Sequence, residues 1–171
     1  MVIASAVARV EAMGDCSATE PVMIADGGLC VDSISVTNFR CYHFARLQAE
    51  GRTTVLYGPN GAGKTNLLEA VSMLAPGRGL RRAKIGDILR KDASETDTWG
   101  VNASILNAGM PMKIGTAREA TNDGRERRVV TIDGESVRAQ SELGRYIGML
   151  WLTPQMDRLF IDGAGERRRF L

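Results

Sequence analysis

The sequence predicts an α/β fold with a small antiparallel sheet, and three adjoining segments carry the α/β part. Residues 53–57, Thr-Thr-Val-Leu-Tyr, form an uncharged β-branched and aromatic run that is typical of a buried central strand. A glycine-rich segment follows directly, and after it residues 65–74 place apolar side chains at helical intervals. A strand, a glycine-rich loop and a helix in this order indicate a domain that binds phosphate groups.

The glycine-rich segment matches the pattern G-x-x-x-x-G-K-[S/T] at every fixed position. Glycines are needed because the backbone N–H groups wrap around a phosphate, and a Cβ would block that approach. The start of the helix adds partial positive charge, Lys64 would reach the β and γ phosphates, and the Thr65 hydroxyl would bind Mg²⁺. The pattern predicts a nucleotide site, ATP or GTP, formed by Gly58, Pro59, Asn60, Gly61, Ala62, Gly63, Lys64 and Thr65.

Short strand-like runs on both sides of this motif predict the antiparallel sheet. They combine apolar and polar residues in alternation or are rich in β-branched residues. From Trp99 to about Val137, these runs and the turns at Asn107-Ala-Gly and Asp133-Gly134 predict a small antiparallel meander. Residues 141–146 predict a short helix and residues 147–152 a core strand, with Trp99 and Trp151 in the core. The strand-like runs are residues 31–36, 44–47, 101–106, 112–116 and 128–132.

Composition limits the class of protein. The chain has 171 residues, 44% hydrophobic and 25% charged, which fits a folded domain and excludes wholesale disorder. Its net charge of +2 excludes a histone-like polycation, and no apolar run approaches the roughly 18 residues of a membrane-spanning helix. Three cysteines without a C-x-x-C pair argue against a disulfide framework or zinc site and favour the cytoplasm. Residues 1–29 predict a poorly structured leader, and residues 30–171 the folded part.

Four basic residues within seven positions follow the predicted helix. Guanidinium and ammonium groups so placed can neutralise DNA phosphates, although a solvated connector is the simpler interpretation of the charge alone. A second run, Arg167 to Arg169, is interpreted as the exposed face of a helix. The candidate DNA-binding residues are therefore Arg78, Arg81, Arg82 and Lys84.

Several further motifs carry a resemblance to a known family. The loop reads GPNGAGKTNLLEAVSML, is preceded by Asn38-Phe39-Arg40 and followed by GRGLRR, and LWLTPQMDRLF and ERRRFL occur downstream. From about residue 31 to its end, the chain resembles the N-terminal part of the RecF family of bacterial recombination proteins. These are ABC-type ATPases related to the heads of structural-maintenance-of-chromosomes (SMC) proteins.

The resemblance implies the N-terminal lobe of an ABC/SMC-type head. It implies an ATP-dependent homodimer that binds double-stranded DNA near single-strand gaps and acts with RecO and RecR to help load RecA. By the same resemblance, Arg40 lies near the nucleotide, and Gln155 occupies the place of the Q-loop residue that reaches the metal. An ordinary turn residue after Pro154 is the alternative for Gln155.

The chain departs from the family in two ways. The leader is longer than the family's usual start. The family's signature loop and its Walker B Asp-Glu pair do not occur in the 171 residues of the chain. We therefore expect a truncated head with no catalytic residue of its own and no ATP hydrolysis, because the carboxylate that completes the Mg²⁺ site is missing. Two alternatives stay open at this point, a P-loop kinase or transferase fragment and a non-catalytic truncated remnant.

Overall fold

The computed structural model describes residues 28–94, 96–120 and 126–154. Within these ranges one α-helix, two short 3₁₀ helices and six strands form. The helices are α1 (Lys64–Ser72) and the 3₁₀ helices Gly86–Ile88 and Gln140–Arg145. The strands are β1 (Leu29–Phe39), β2 (Tyr42–Gln48), β3 (Gly100–Asn107), β4 (Met110–Ala120), β5 (Glu126–Ile132) and β6 (Glu135–Ser136).

The six strands form one antiparallel sheet in the order β2-β1-β3-β4-β5-β6. One face of the sheet and the apolar face of α1 share a core, because alternate strand residues and helical i, i+3 positions point toward each other. Each fully buried Val, Leu or Ile contributes roughly 1.5–3 kcal/mol to this packing. Core members are Ile34, Val36, Val101, Ile105, Ile114 and Val130 from the sheet and Leu67 and Ala70 from α1.

The tip of the β1–β2 hairpin is docked against the segment around the first 3₁₀ helix. Phe39 is fully buried and packs edge-to-face on Trp99, with ring centroids 5.8 Å apart. Asn38 and Arg40 on either side of it have φ of 46° and 55°, a conformation that costs a side-chain-bearing residue free energy. The amide of Arg40 donates to the carbonyl of Ile88 at 2.8 Å. This tight tip fixes the position from which the Arg40 side chain leaves the backbone.

A buried arginine joins the end of α1 to the sheet. Arg128 on β5 donates to the carbonyl oxygens of Met73, Ala75 and Gly77 and to the Thr116 hydroxyl. Desolvation lowers the pKa of Arg128 to about 10, so the guanidinium is still protonated at neutral pH. A cation suits this position because unpaired carbonyls and the negative end of the helix dipole meet there. Arg128 therefore holds α1, and the loop before it, against the sheet.

The predicted elements with local pairing partners are confirmed. All five strand-like runs lie within β1 to β5, and residues 65–74 largely coincide with α1. The short helix predicted at 141–146 is the 3₁₀ helix Gln140–Arg145, and Trp99 is buried in the core. None of the described helices is long and apolar enough to cross a membrane.

Two predicted strands are wrong. Residues 53–57 belong to no strand, and Val55 and Tyr57 are 66% and 67% exposed. Residues 147–152 are likewise outside the sheet, with Leu152 exposed and Trp151 only partly buried. A central strand requires hydrogen-bonded neighbours on both sides, and no described strand pairs with either segment. Three parts of the predicted chain lie outside the described residues. They are residues 1–27 of the leader, Gln155 and the run Arg167 to Arg169.

Candidate nucleotide-binding site

Three glycines of the predicted phosphate loop have positive φ. Gly58, Gly61 and Gly63 have φ of 142°, 86° and 94°, values that residues with a Cβ rarely adopt. The Lys64 ammonium donates to the carbonyl oxygens of Gly58 and Pro59 at 2.8 and 2.7 Å. These contacts hold its positive charge over the loop, at the N-terminus of α1 where the helix dipole adds to it. The loop predicted from the sequence therefore combines positive-φ glycines, a lysine and a helix start, the features that favour an anion.

Gly63 is also the point where the loop meets the β1–β2 hairpin. A Cβ on Gly63 would lie 2.5 Å from the Tyr42 hydroxyl and 2.8 Å from the Cys41 Sγ, closer than real contacts allow. Burial raises the pKa of Tyr42, with a further contribution from Cys41, so the phenol stays neutral. Asn66, on the first turn of α1, donates to the Cys41 Sγ at 3.1 Å. The hairpin tip and the phosphate loop thus form one packed unit.

Arg40 is bound by a buried carboxylate on α1. Its Nε and Nη2 donate to the two carboxylate oxygens of Glu69 at 2.9 and 2.6 Å, and its Nη1 donates to the carbonyl of Asp87. The Glu69 side chain is only 2% exposed, so the carboxylate of this two-pronged ion pair lies out of water. Arg40 therefore has a fixed orientation. The residue that holds it, Glu69, lies one helical turn beyond Thr65 on α1.

A cavity of about 460 Å³ lies beside the loop helix. Its lining includes charged groups and the hairpin tip, and two of its residues, Arg40 and Asn66, belong to the network just described. This volume and composition suit a small polar ligand such as a nucleoside. The lining residues are Arg40, Cys41, Asn66, Asp87, Leu89, Arg90, Lys91 and Asp92.

A larger depression of about 550 Å³ crosses the opposite face of the sheet. Small polar side chains line it, among them Ser33, Ser35, Asn102 and Thr131. It contains no glycine loop and no helix N-terminus, the two features that favour a phosphate group in this fold. Size alone therefore does not make it the nucleotide site, and the cavity beside the loop is the better candidate.

The predicted DNA-binding residues fall into two groups. Arg78, Arg82 and Lys84 are exposed and make no salt bridge with any described residue. Arg81 is different, because its Nη1 donates to Glu69 Oε2 at 3.1 Å and to Asn66 Oδ1 at 3.0 Å. The sequence grouped these four residues by spacing, whereas the structure brings one of them to the loop helix.

Glu69 and Asn66 were missed by the sequence analysis. A signal was present for Glu69, because an acidic residue stands between Leu67 and Ala70 on the apolar face of α1. A charge in such a position needs a buried partner. Within the part of the chain that the structure describes, no group of three His, Cys, Asp or Glu residues could hold a metal ion. The Thr65 hydroxyl is exposed at the start of α1, and Gln155 lies outside the described residues.

Comparison with protein families identifies the fold. The model of the RecF/RecN/SMC N-terminal domain matches residues 30–156. The chain belongs to this family. The match covers the phosphate loop, the hairpin and the meander. It favours a RecF/RecN/SMC-type domain over the kinase or transferase alternative that the phosphate loop alone left open.

Curated relatives narrow the similarity to RecF. The chain is 45% identical over 141 residues to the DNA replication and repair protein RecF of Allorhizobium ampelinum, covering 82% of this chain and 37% of the relative. It is 43% identical over 141 residues to RecF of Caulobacter vibrioides, covering 81% and 36%. The chain therefore spans little more than a third of the length of these relatives, and the predicted resemblance to RecF is confirmed.

Solved structures confirm the type of fold. A structure of the recombination mediator RecF with ATP superposes with a TM-score of 0.64 at 22% identity, covering 83% of this chain and 38% of that one. The SMC head domain of Thermotoga maritima gives a TM-score of 0.52 at 16% identity, covering 78% of this chain and 51% of that one. The architecture is that of the N-terminal lobe of a RecF or SMC head.

Proposed function

We propose that this chain binds ATP as the N-terminal lobe of a RecF-type recombinational repair protein. The phosphate loop is the observation that carries the proposal, because three positive-φ glycines and Lys64 surround the start of α1. The similarity to RecF proteins supports ATP over GTP, since one related RecF structure is described as an ATP complex.

The geometry suggests how the nucleotide is arranged. The triphosphate would accept hydrogen bonds from the loop amides and from Lys64, and the nucleoside would enter the cavity lined by Arg40, Asn66 and Leu89. Mg²⁺ would be bound by the Thr65 hydroxyl and the phosphates, with Gln155 as a further ligand, and it would offset the phosphate charge. Glu69 is buried and paired with two arginines, so it is not available as a general base.

Equilibrium binding tests this arrangement. Titration of the purified chain, with Mg²⁺, should show ATP binding more tightly than inorganic tripolyphosphate, because only ATP fills the nucleoside cavity. Isothermal calorimetry measures both affinities under the same conditions. Equal affinities for ATP and tripolyphosphate would mean that the nucleoside does not bind in the cavity. The absence of binding of either ligand would contradict the proposed function.

We also propose that the basic segment of residues 78–84 contacts double-stranded DNA. Arg78, Arg82 and Lys84 are exposed and unpaired among the described residues, so they can meet phosphates without first breaking an ion pair. Such contacts fix position and carry no base information. The sequence predicted Arg78, Arg81, Arg82 and Lys84 for this contact, and the proposal rests on the other three because Arg81 is bound to Glu69.

Replacing Arg82 with alanine should weaken duplex binding about equally for all DNA sequences. The slope of log affinity against log salt should fall by about one unit, because one fewer counterion is released. Fluorescence anisotropy over a range of salt concentrations measures this slope. Arg138→Ala, which removes another exposed arginine outside this segment, is the matched control. Equal slopes for the Arg82 variant and the unmodified protein would contradict the DNA contact and favour the interpretation of this segment as a solvated connector.

The wider role is proposed by extension from RecF relatives. It comprises an ATP-dependent homodimer in the cytoplasm that binds duplex DNA near single-strand gaps and acts with RecO and RecR to help load RecA. The names of the relatives support a part in DNA replication and repair, and the RecF–ATP structure is described within a RecFOR pathway. Co-sedimentation of the chain with purified RecR, with and without ATP, tests the partnership with RecR.

A further inference from the structure

Two arginines from different segments share the carboxylate of Glu69. Arg40, at the hairpin tip, binds both oxygens, and Arg81, after α1, binds Oε2 at 3.1 Å. The exposed fractions of the three side chains are 2% for Glu69, 19% for Arg40 and 41% for Arg81. The two cations thus approach one buried anion from opposite environments, one facing the nucleotide cavity and the other facing solvent.

This sharing determines the orientation of the carboxylate. A buried carboxylate oxygen has lone pairs that must all be satisfied, and a missing donor leaves the group free to rotate or to draw in water. Arg81 supplies the second donor to Oε2, while Arg40 Nε supplies the first. The same Arg81 Nη1 also donates to Asn66 Oδ1, and Asn66 directly follows Thr65 and lines the cavity. Arg81 therefore contacts Glu69, which binds Arg40, and Asn66, which lines the cavity.

We propose that Arg81 is a positioning residue of the nucleotide site, acting through Glu69 to hold Arg40 in place. The inference rests on the proposed binding of ATP. The inference gives Arg81 a different role from its three basic neighbours, which are proposed to contact DNA. Moving Arg81 onto a DNA phosphate would take a donor from a buried carboxylate, whereas Arg78, Arg82 and Lys84 make no such contact with a residue that the structure describes.

Nucleotide affinities of Arg81 variants test the proposal. Arg81→Ala should bind ATP about tenfold more weakly, a typical coupling for residues in direct contact. Tripolyphosphate affinity should be unchanged, because that ligand occupies only the loop around Lys64. A purely structural role would weaken both ligands together, so the ratio of the two affinities is the diagnostic readout. Arg138→Ala, an exposed arginine outside both proposed sites, should leave the ratio unaltered.

A double variant tests the route through Arg40. If Arg81 acts by orienting Arg40, then Arg40→Ala with Arg81→Ala should bind ATP no more weakly than Arg40→Ala alone. Additive losses would overturn the proposal, as would an Arg81→Ala variant with the affinity ratio of the unmodified chain. Where Arg81→Ala fails to fold, Arg81→Lys replaces it. Lysine keeps the charge but not the planar fork, and about a threefold loss is expected.

The two failures are distinguishable. Absence of ATP binding by the unmodified chain contradicts the proposed function whatever the Arg81 variants do. Normal ATP binding by the unmodified chain, with an unchanged affinity ratio in both Arg81→Ala and Arg81→Lys, contradicts only the positioning role. Thermal melting of each variant, measured without ligand, shows that the loss comes from the site and not from unfolding.

Discussion

Replacing Lys64 with alanine should reduce ATP affinity by about 100-fold or more while leaving the fold intact. The ammonium makes two hydrogen bonds to loop carbonyls, at 2.8 and 2.7 Å, and we expect it to exchange them for the β and γ phosphates. A hydrogen bond to a charged group contributes about 1.5–3 kcal/mol, and about 1.4 kcal/mol corresponds to tenfold in affinity. Isothermal calorimetry with ATP and Mg²⁺ measures the effect.

Lys113→Ala is the matched control for this variant. Lys113 lies on β4 and lines the depression on the opposite face of the sheet, so its loss removes the same charge from the chain but not from the loop. ATP affinity should stay within about twofold in the control, because distant exposed charges are largely screened. An unchanged affinity in Lys64→Ala would exclude the phosphate loop as the binding site.

Replacing Arg128 with methionine should lower the free energy of unfolding by about 3–4 kcal/mol. Methionine keeps an unbranched apolar stem but has no donors, so the buried carbonyls at the end of α1 lose their partner. Each buried polar group left unsatisfied costs about 1–3 kcal/mol, and part of this is recovered because a desolvated cation is removed. Urea denaturation followed by circular dichroism measures the change.

Arg127→Met provides the comparison on the same strand. The Arg127 side chain is 65% exposed and pairs with Glu119, an arrangement that contributes only about 0–1 kcal/mol. Its replacement should therefore change stability by less than about 1 kcal/mol. Equal losses in the two variants would mean that Arg128 does not anchor α1 to the sheet. A destabilised Arg128 variant should also bind ATP more weakly, because the loop precedes the helix that Arg128 holds.

The sequence predicted those parts of the fold whose partners are close along the chain. The turn at 107–109 joins β3 directly to β4, so the alternation of the two runs and this turn suffice to predict their antiparallel pairing. The turn at 133–134 likewise leads from β5 into β6. Helix α1 shows the 3.6-residue period directly. The phosphate loop was predicted residue by residue, because its chemistry requires glycines at fixed spacing.

The two wrong strands show what local pattern cannot predict. Residues 53–57 and 147–152 have the composition of core strands, but a strand forms only beside another strand. No described strand lies next to either segment, and apolar residues such as Val55 and Leu152 are exposed. Composition predicts that a segment prefers burial, while the neighbour that provides burial is a property of the whole assembled sheet.

The ion-pair network was equally beyond reach of the sequence. Arg40, Glu69 and Arg81 are 29 and 12 positions apart, and nothing in their spacing marks them as partners. Arg81 resembled its neighbours because charge clustering is visible in a sequence and burial of a counter-ion is not. Arg40 lies in the two-residue turn between β1 and β2, and its neighbour Phe39 packs on Trp99, a tertiary contact between residues 60 positions apart.

The central claim is that ATP binds in the loop between residues 53–57 and α1. Nuclear magnetic resonance of the chain labelled only at glycine tests it directly, because three glycines belong to the loop and others lie in distant turns. Addition of ATP with Mg²⁺ should shift the amide signals of Gly58, Gly61 and Gly63, and leave those of Gly109 and Gly134 in the meander unchanged. Shifts confined to the meander glycines, or no shifts at saturating ATP, would contradict the account.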